Sequence, residues 1–351
     1  MSFQENEKTF AARRKLGHTF SIGGMNMVLT CASFFAGVGG IELGFLQSGY
    51  KVLYANEIDK YAVKTYELNF PIKVDHRSIL EVNEEEVPDV DVVMGGFPCQ
   101  AFSVAGYRKG FEDEKGRGTL FFELLRIIKK KKPRVVFCEN VKNLVGHDNG
   151  NTFRVIREAL EDAGYEIKYQ VLNGMTYGNV PQNRERIYIV GFRNHEDFRN
   201  FDFPAPIPLT NTLRNAIDFN AKVEPQYYYS PEKCSFYKVL KKEMKKKDTV
   251  YQWRRVYVRE NKSNVCPTLT ANMGEGGHNV PLILSNKGIR KLTPHECFNL
   301  QGYPVDYRLP ADMAQTHLYK QAGNSVVVPV IRRIAEKIKE AIEETDRECH
   351  V

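Results

Sequence analysis

VDVVMGGFPCQAFSVAGYRKGF, residues 90–111, is the stretch on which the reading of the whole chain turns. Val90–Met94 is an apolar run of strand length ending on two glycines, the pattern of a buried parallel strand. From Gly95 to Phe111 the residues are small or polar and follow neither helical nor strand periodicity, so this part reads as a loop. In open parallel α/β sheets the loops leaving the carboxyl ends of strands hold the ligand. Pro98 and Cys99 therefore put a thiol on a constrained turn where such sheets do their chemistry. A loop cysteine taken alone carries no such role, and the surrounding chain has to supply the reason for one.

Upstream, Val28–Ser33 reads as a strand, followed by FFAGVGG (Phe34–Gly40) and a helix ending near Gly49. Val52–Ala55 is a second strand closed by Asn56 and Glu57, and Asp59 is placed to cap a helix running to Asn69. Ile72–Val74 is expected to form a short strand. Downstream, Thr119–Lys131 is amphipathic, with Leu120, Leu124, Ile127 and Ile128 on one stripe. The Lys129–Lys132 run suits the solvated C-terminal end of that helix. Val135–Cys138 is a strand ending on Glu139 and Asn140, and Thr152–Ala163 is a helix stopped by Gly164. Glu166–Leu172 and Ile187–Phe192 complete the series. Strands alternating with helices predict an α/β fold, a doubly wound and mainly parallel sheet.

This region is bounded as residues 27–193, behind a polar, mildly basic tail at 1–26. At Asn194 the texture changes: FPAPIPLT (Phe203–Thr210) is proline-rich, and the sequence to about Ser285 is rich in Tyr, Lys, Asn and Gly. A second, smaller and irregular domain with its hinge is placed at 194–316. In the last part, 317–351, Val326–Glu344 regains helical periodicity and is expected to return to the first domain.

The totals narrow the function. With 42% hydrophobic residues the 351-residue chain can bury a full core, and its formal net charge of +7 favours an anionic partner, nucleic acid being the commonest. Seven cysteines without a CxxC pair argue against a disulfide framework and against zinc, so no metal is expected and a reducing compartment is. No apolar run approaches the roughly 18 residues that span a bilayer, and the N-terminal residues carry acids and no secretory segment. The expected location is the cytoplasm, with no membrane partner.

Gly37, Gly39 and Gly40 lie between the first strand and first helix, where the backbone must turn tightly and approach a ligand. Glu57, roughly 18 residues on, closes the second strand where an acid bonds ribose hydroxyls. The dinucleotide fingerprint G-x-G-x-x-G fails at Glu42, and no G-K-[ST] phosphate loop is present. Phe35 before the glycines suits contact with an adenine or a sulfonium ligand. This F-x-G-x-G turn with its downstream acid resembles the S-adenosylmethionine site of methyltransferases.

Further motifs follow in order: ENV (Glu139–Val141), QNRERIY (Gln182–Tyr188), RKLTPHECFNLQGYP (Arg290–Pro304) and YKQAGNSV (Tyr319–Val326). Together with FAGVGG, NE and GGFPCQ, this series resembles the DNA (cytosine-5) methyltransferases of bacterial restriction–modification systems, over nearly all of Met27–Glu344. The resemblance implies the S-adenosylmethionine-dependent methyltransferase fold, with the second region as a target-recognition domain. It implies transfer of a methyl group from S-adenosyl-L-methionine to carbon 5 of a flipped-out cytosine in a short duplex site. The implied partners are double-stranded DNA and a cognate restriction endonuclease, with the chain itself a monomer.

The residues fit that chemistry. Carbon 5 of cytosine is a poor nucleophile until a thiolate adds at carbon 6, and the resemblance gives this role to Cys99, with Pro98 fixing its turn. Glu139 matches the carboxyl that neutralises ring nitrogen 3, and Asn140 either holds the loop or serves as a turn residue. Arg184 and Arg186 are two apart, so on an extended segment they point the same way, and the resemblance puts both against the base. The cofactor is expected at Phe35, Gly37, Gly39, Gly40, Glu57, Ile58, Ser78, Ile79, Phe97, Leu120 and Asn324. Ser78 departs from the family, which carries an Asp there for the adenine; either its hydroxyl substitutes or Asp75 serves. Beyond Gln100 the loop to Gly118, with Arg108, Lys109, Lys115 and Arg117, is expected to close over DNA. Arg254, Arg255, Arg259, Thr268 and Asn272 are expected to face DNA, the Thr268–Leu269 pair resembling the family's recognition element. A catalytically silent DNA-binding regulator and a tRNA cytosine-5 methyltransferase are the competing readings. Intact Cys99, Glu139, Arg184 and Arg186 argue against the first, and the missing Cys-Phe-Thr motif against the second.

Overall fold

The computed structural model describes residues 28–98, 119–275 and 280–349. The chain begins β1 (Thr30–Phe34), α1 (Gly40–Gln47), β2 (Lys51–Asn56), α2 (Lys60–Asn69), β3 (Val92–Gly95) and α3 (Thr119–Lys131). It continues with β4 (Val135–Val141), α4 (Asn151–Glu161), β5 (Glu166–Asn173), α5 (Gly174–Gly178), β6 (Gln182–Asn183), β7 (Glu185–Phe192) and α6 (His195–Asn200). Then come α7 (Tyr237–Glu243), β8 (Tyr251–Trp253), β9 (Val258–Glu260), β10 (Cys266–Pro267), β11 (Leu282–Ser285) and β12 (Gly288–Lys291). The short helix α8 (Pro294–Asn299) leads to α9 (Gln315–Asn324) and α10 (Val328–Glu348).

Six strands form the main sheet in the order β2-β1-β3-β4-β7-β5. The first four are parallel neighbours, and β7 runs antiparallel to both β4 and β5. Side chains alternate between the faces. Cys31, Val92, Met94, Val135 and Phe137 join α1 and α10 in one core, while Ala32, Phe34, Val93, Val136 and Cys138 join α3 and α4 in another. Burial on both faces explains why these strands read as continuous apolar runs.

Asp59 caps α2 as its sequence predicts, accepting from the amides of Tyr61 and Ala62. The expected strand at Ile72–Val74 does not form. Only Asp75 bridges to Asn56, and the Val74 amide is held by the Glu67 side chain, so β2 gains a one-residue extension instead of a neighbour. The later region is less irregular than its composition implies: β12-β11-β8-β9 make a four-stranded antiparallel sheet. Leu282, Ile289, Tyr251, Leu240 and Met244 bury its own small core, with Phe236 stacked on Trp253 at 4.2 Å. Its strands are three or four residues long, too short to show a period.

The C-terminal return is present. Along α10, Ile331, Ile334, Ala335, Ile338, Ala341 and Ile342 are fully buried at helical spacing, in one core with Ile41 and Phe45 of α1. Each of the four isoleucines contributes about 1.5–3 kcal/mol by leaving water. A two-residue parallel ladder, β6 with β10, joins the first region to the second.

Candidate active site

The strand order reverses between β1 and β3, so their carboxyl ends flank a crevice. Registers Phe34↔Asn56, Phe34↔Gly95 and Gly95↔Cys138 align the strand ends. Phe35, Glu57, Gly96 and Glu139, each one residue further, therefore line one edge. Because β7 is antiparallel and pairs Val141 with Arg186, Arg186 reaches the same edge from the opposite direction.

At the cofactor end the backbone turns through left-handed residues: Phe35 at φ 55°, Gly37 at 56° and Gly39 at 81°. A Cβ on Gly39 would lie 2.1 Å from the Phe70 ring, which only glycine avoids. Glu57 fixes this turn, its Oε2 accepting from the Gly37 amide and its Oε1 from the Asp59 amide, both at 2.8 Å. Burial raises its pKa against those amides. Ile58 beside it, just beyond β2, is 64% exposed. Ile79 and Phe97 are buried, Phe97 against Phe121, whereas Leu120 is half-buried. Asn324 is exposed between buried Gly323 and Ser325.

The two adenine candidates separate. Asp75 is occupied, accepting from the Tyr54 hydroxyl at 2.7 Å and from Arg77 Nε and a terminal nitrogen at 2.9 and 2.7 Å. The Arg77 guanidinium holds its carboxyl down at about 2. Ser78 caps the short turn Ile79–Glu81 through the Leu80 amide at 3.3 Å, an arrangement that leaves its hydroxyl proton to donate elsewhere.

On the other side of the crevice Glu139 is 8% exposed and pairs with Arg186 Nε at 3.1 Å. Burial raises its pKa, with Arg186 and then Arg184 opposing the rise. Asn140 donates from Nδ2 to the Phe97 carbonyl at 2.8 Å and accepts from the Val141 amide at 2.8 Å. That bond pins the backbone just ahead of exposed Pro98. Cys99 and the basic loop residues Arg108, Lys109, Lys115 and Arg117 lie outside the described residues.

Arg184 stands between β6 and β7, its carbonyl accepting from the Gly174 amide at 2.9 Å, and its charge acts on Glu139 together with that of Arg186. Arg184 is 2% exposed and donates to the carbonyls of Leu269 (2.7 Å), Gly323 (2.9 Å) and Ser325. Burial, and then Arg186, lower its pKa to about 9, so it stays charged at neutral pH.

Of the residues expected on DNA, Arg254 and Arg255 form the exposed β8–β9 turn with Val256 and Tyr257, and Arg259 is exposed on β9. Thr268 donates to the Asn183 carbonyl at 2.6 Å, and Asn272 accepts from the Thr270 hydroxyl at 2.8 Å. The sequence reading passed over Glu42. It is fully buried on α1, and neither of its carboxyl oxygens has a hydrogen-bond partner among the described residues. Nearby Ser33 Oγ and the Tyr66 hydroxyl are likewise orphaned. An acid among Ile41, Gly44 and Phe45 on the buried side of a helix is the signal that marks it. Gln182 was also missed: it accepts from the Leu269 amide at 3.2 Å and donates to the Leu300 carbonyl at 3.0 Å.

A doubly wound sheet with one antiparallel strand and a glycine turn at its switch point is the fold of the S-adenosylmethionine-dependent methyltransferases. Solved structures agree: a methyltransferase of Entamoeba histolytica superposes with a TM-score of 0.69 at 16% identity, covering 90% of this chain and 99% of that one. A putative DNA modification methyltransferase from an E. coli prophage gives 0.64 at 20% identity, over 90% and 99%. Within that fold, residues 29–340 match the C-5 cytosine-specific DNA methylases, and the chain belongs to that family. It is 65% identical to the type II methyltransferase M.Bsp6I of Bacillus sp. (strain RFL6) over 312 residues, 89% of this chain and 98% of that protein. It is 40% identical to M.HhaI of Haemophilus parahaemolyticus over 315 residues, 87% and 92% respectively.

Proposed function

We propose that this chain is the modification enzyme of a type II restriction–modification system, acting in the cytoplasm as a monomer alongside a cognate endonuclease. It methylates carbon 5 of a cytosine extruded from a short, specific duplex sequence, using S-adenosyl-L-methionine and a covalent Cys99 adduct. The observation that carries this is the strand-end row Phe35, Glu57, Gly96 and Glu139, with Arg186 facing Glu139. It brings a cofactor turn and a buried carboxyl to one edge. The crevice residues fit the cofactor: Ile58 offers apolar surface, and each Glu57 oxygen keeps a lone pair for a ribose hydroxyl. Ser78 is the adenine contact, since Asp75 is held by Arg77 and Tyr54. When bound, the cofactor supplies an electrophilic methyl group.

The protein's part is to make cytosine nucleophilic. Cys99 forms a bond to carbon 6, while Glu139, whose pKa burial raises, donates a proton to nitrogen 3 so that the ring does not accumulate charge. Carbon 5 takes the methyl group, then loses its proton as the carbon–sulfur bond breaks. Asn140 positions the nucleophile's turn through Phe97, and Arg186 orients the carboxyl. Extruding the base costs a few kcal/mol, offset by phosphate contacts from the basic loop and from Arg254, Arg255 and Arg259, with Thr268 and Asn272 beside the groove. In domain terms, 27–193 holds cofactor and chemistry, 194–316 reads DNA, and 317–351 closes the cofactor pocket at Asn324.

Bisulfite sequencing of DNA from a host expressing the chain tests the proposal. Methylcytosine at one short site is expected, and its absence despite soluble, cofactor-saturated protein would reject the proposal. The Cys99→Ala variant is expected to lose turnover while retaining site-specific binding; normal methylation by it would remove Cys99 from the mechanism.

A further inference from the structure

Arg184 has its charge buried, and three of its hydrogen bonds go to main-chain carbonyls of two segments distant in sequence. One, Leu269, follows Thr268 in the recognition element; the others, Gly323 and Ser325, flank Asn324. These segments also touch directly. A Cβ on Gly323 would lie 2.2 Å from the Thr270 carbonyl carbon and oxygen and 2.3 Å from the Ala271 nitrogen, so the two backbones are packed without space between them. The arginine's own segment is clasped to the recognition side as well, through Thr268 on the Asn183 carbonyl and the Cys266 amide on the Pro181 carbonyl at 2.7 Å.

We infer that Arg184 is a positioning residue that makes DNA reading and cofactor binding interdependent. Resting on the reading that 268–272 faces DNA and Asn324 the cofactor, the inference assigns the coupling to one guanidinium. A guanidinium holds several acceptors in a fixed planar fork, whereas an ammonium is a point charge that cannot keep the same directions. Movement of the Leu269 carbonyl when DNA is engaged is therefore transmitted to the turn carrying Asn324. By linkage, cofactor binding must strengthen DNA binding by the same factor.

The test is calorimetric titration of S-adenosylhomocysteine and of a duplex carrying the methylation site, each alone and each in the presence of the other. Wild-type protein is expected to show mutual enhancement of about tenfold. Arg184→Lys is expected to bring that factor close to one, a larger change than either separate affinity shows. Retention of the full factor in Arg184→Lys, or its absence in wild type, overturns the inference. If Arg184→Lys does not fold, hydrogen exchange on wild type decides: S-adenosylhomocysteine alone should slow the amides of Leu269–Ala271, and unchanged exchange there overturns the coupling. Wild-type protein that binds neither ligand overturns the proposed function itself, a distinct outcome.

Discussion

Glu42, Glu57 and Glu139 are three carboxyls around one crevice, and their neighbours give each a different task. Glu57 is satisfied by two amides, Glu139 by an arginine, and Glu42 by nothing among the described residues. Burial lifts Glu42 from 4.5 to about 7, opposed only weakly by the nearby Ser33 hydroxyl and its own amide, which lie outside hydrogen-bond geometry, and aided by the Glu57 charge. The folded chain therefore holds a proton there that the unfolded chain releases above pH 4.5. Stability falls as pH rises through the interval, and the cost is complete above about 7. A shift of this size corresponds to about 3 kcal/mol. Glu42→Gln should remove that loss, so that denaturant melts at pH 5 and pH 8 differ less for the variant than for wild type. An equal pH dependence in both would show that Glu42 ionises freely. Among single residues, the placement of Glu57 and Glu139 along the carboxyl edge of the sheet was legible because both stand in recognisable motifs that follow apolar strand residues. The carbonyl partners of Arg184 were not legible, because Leu269, Gly323 and Ser325 come from segments far along the chain.

At the scale of elements, helix α3 was legible to the residue because thirteen positions carry one apolar stripe and a lysine end. The small sheet was not, since its strands are too short for a period and its pairs join segments far apart, such as Tyr251 with Leu282. Its β8–β9 turn, proposed above to meet DNA, has Arg254, Arg255, Val256 and Tyr257 all exposed and Arg255 at φ 67°. A two-stranded ribbon of this kind fits the major groove. The Arg254→Ala, Arg255→Ala double variant should bind the specific duplex more weakly, with a salt slope shallower by about one for each phosphate no longer neutralised. An unchanged affinity and slope in anisotropy titrations would place this turn away from DNA.

At the scale of the whole molecule, the last helix is tied to the middle of the chain. Arg134, which starts the turn into β4, donates to Asp197 of α6 at 2.6 and 2.8 Å and to Asp346 of α10 at 2.8 and 3.2 Å. Asp197 is fully buried, so Arg134→Ala strands a charge and is expected to cost about 3–5 kcal/mol, read as a lowered denaturant midpoint. A loss below about 1 kcal/mol would mean that Asp197 is otherwise compensated. The return of α10 was legible from periodicity alone; that α6 would be sewn to it was not, because nothing in HEDFRN announces a partner so much later in the chain. One join bears on protein engineering. Since β6 and β10 share a two-residue ladder reinforced by Gln182, Thr268 and Arg184, the region proposed to read DNA is not a detachable cassette. A chimaera whose borders fall between 261 and 275 separates the grafted carbonyls from donors left behind. Grafts should carry 181–184 with them, so that the grafted groups keep their hydrogen-bond partners.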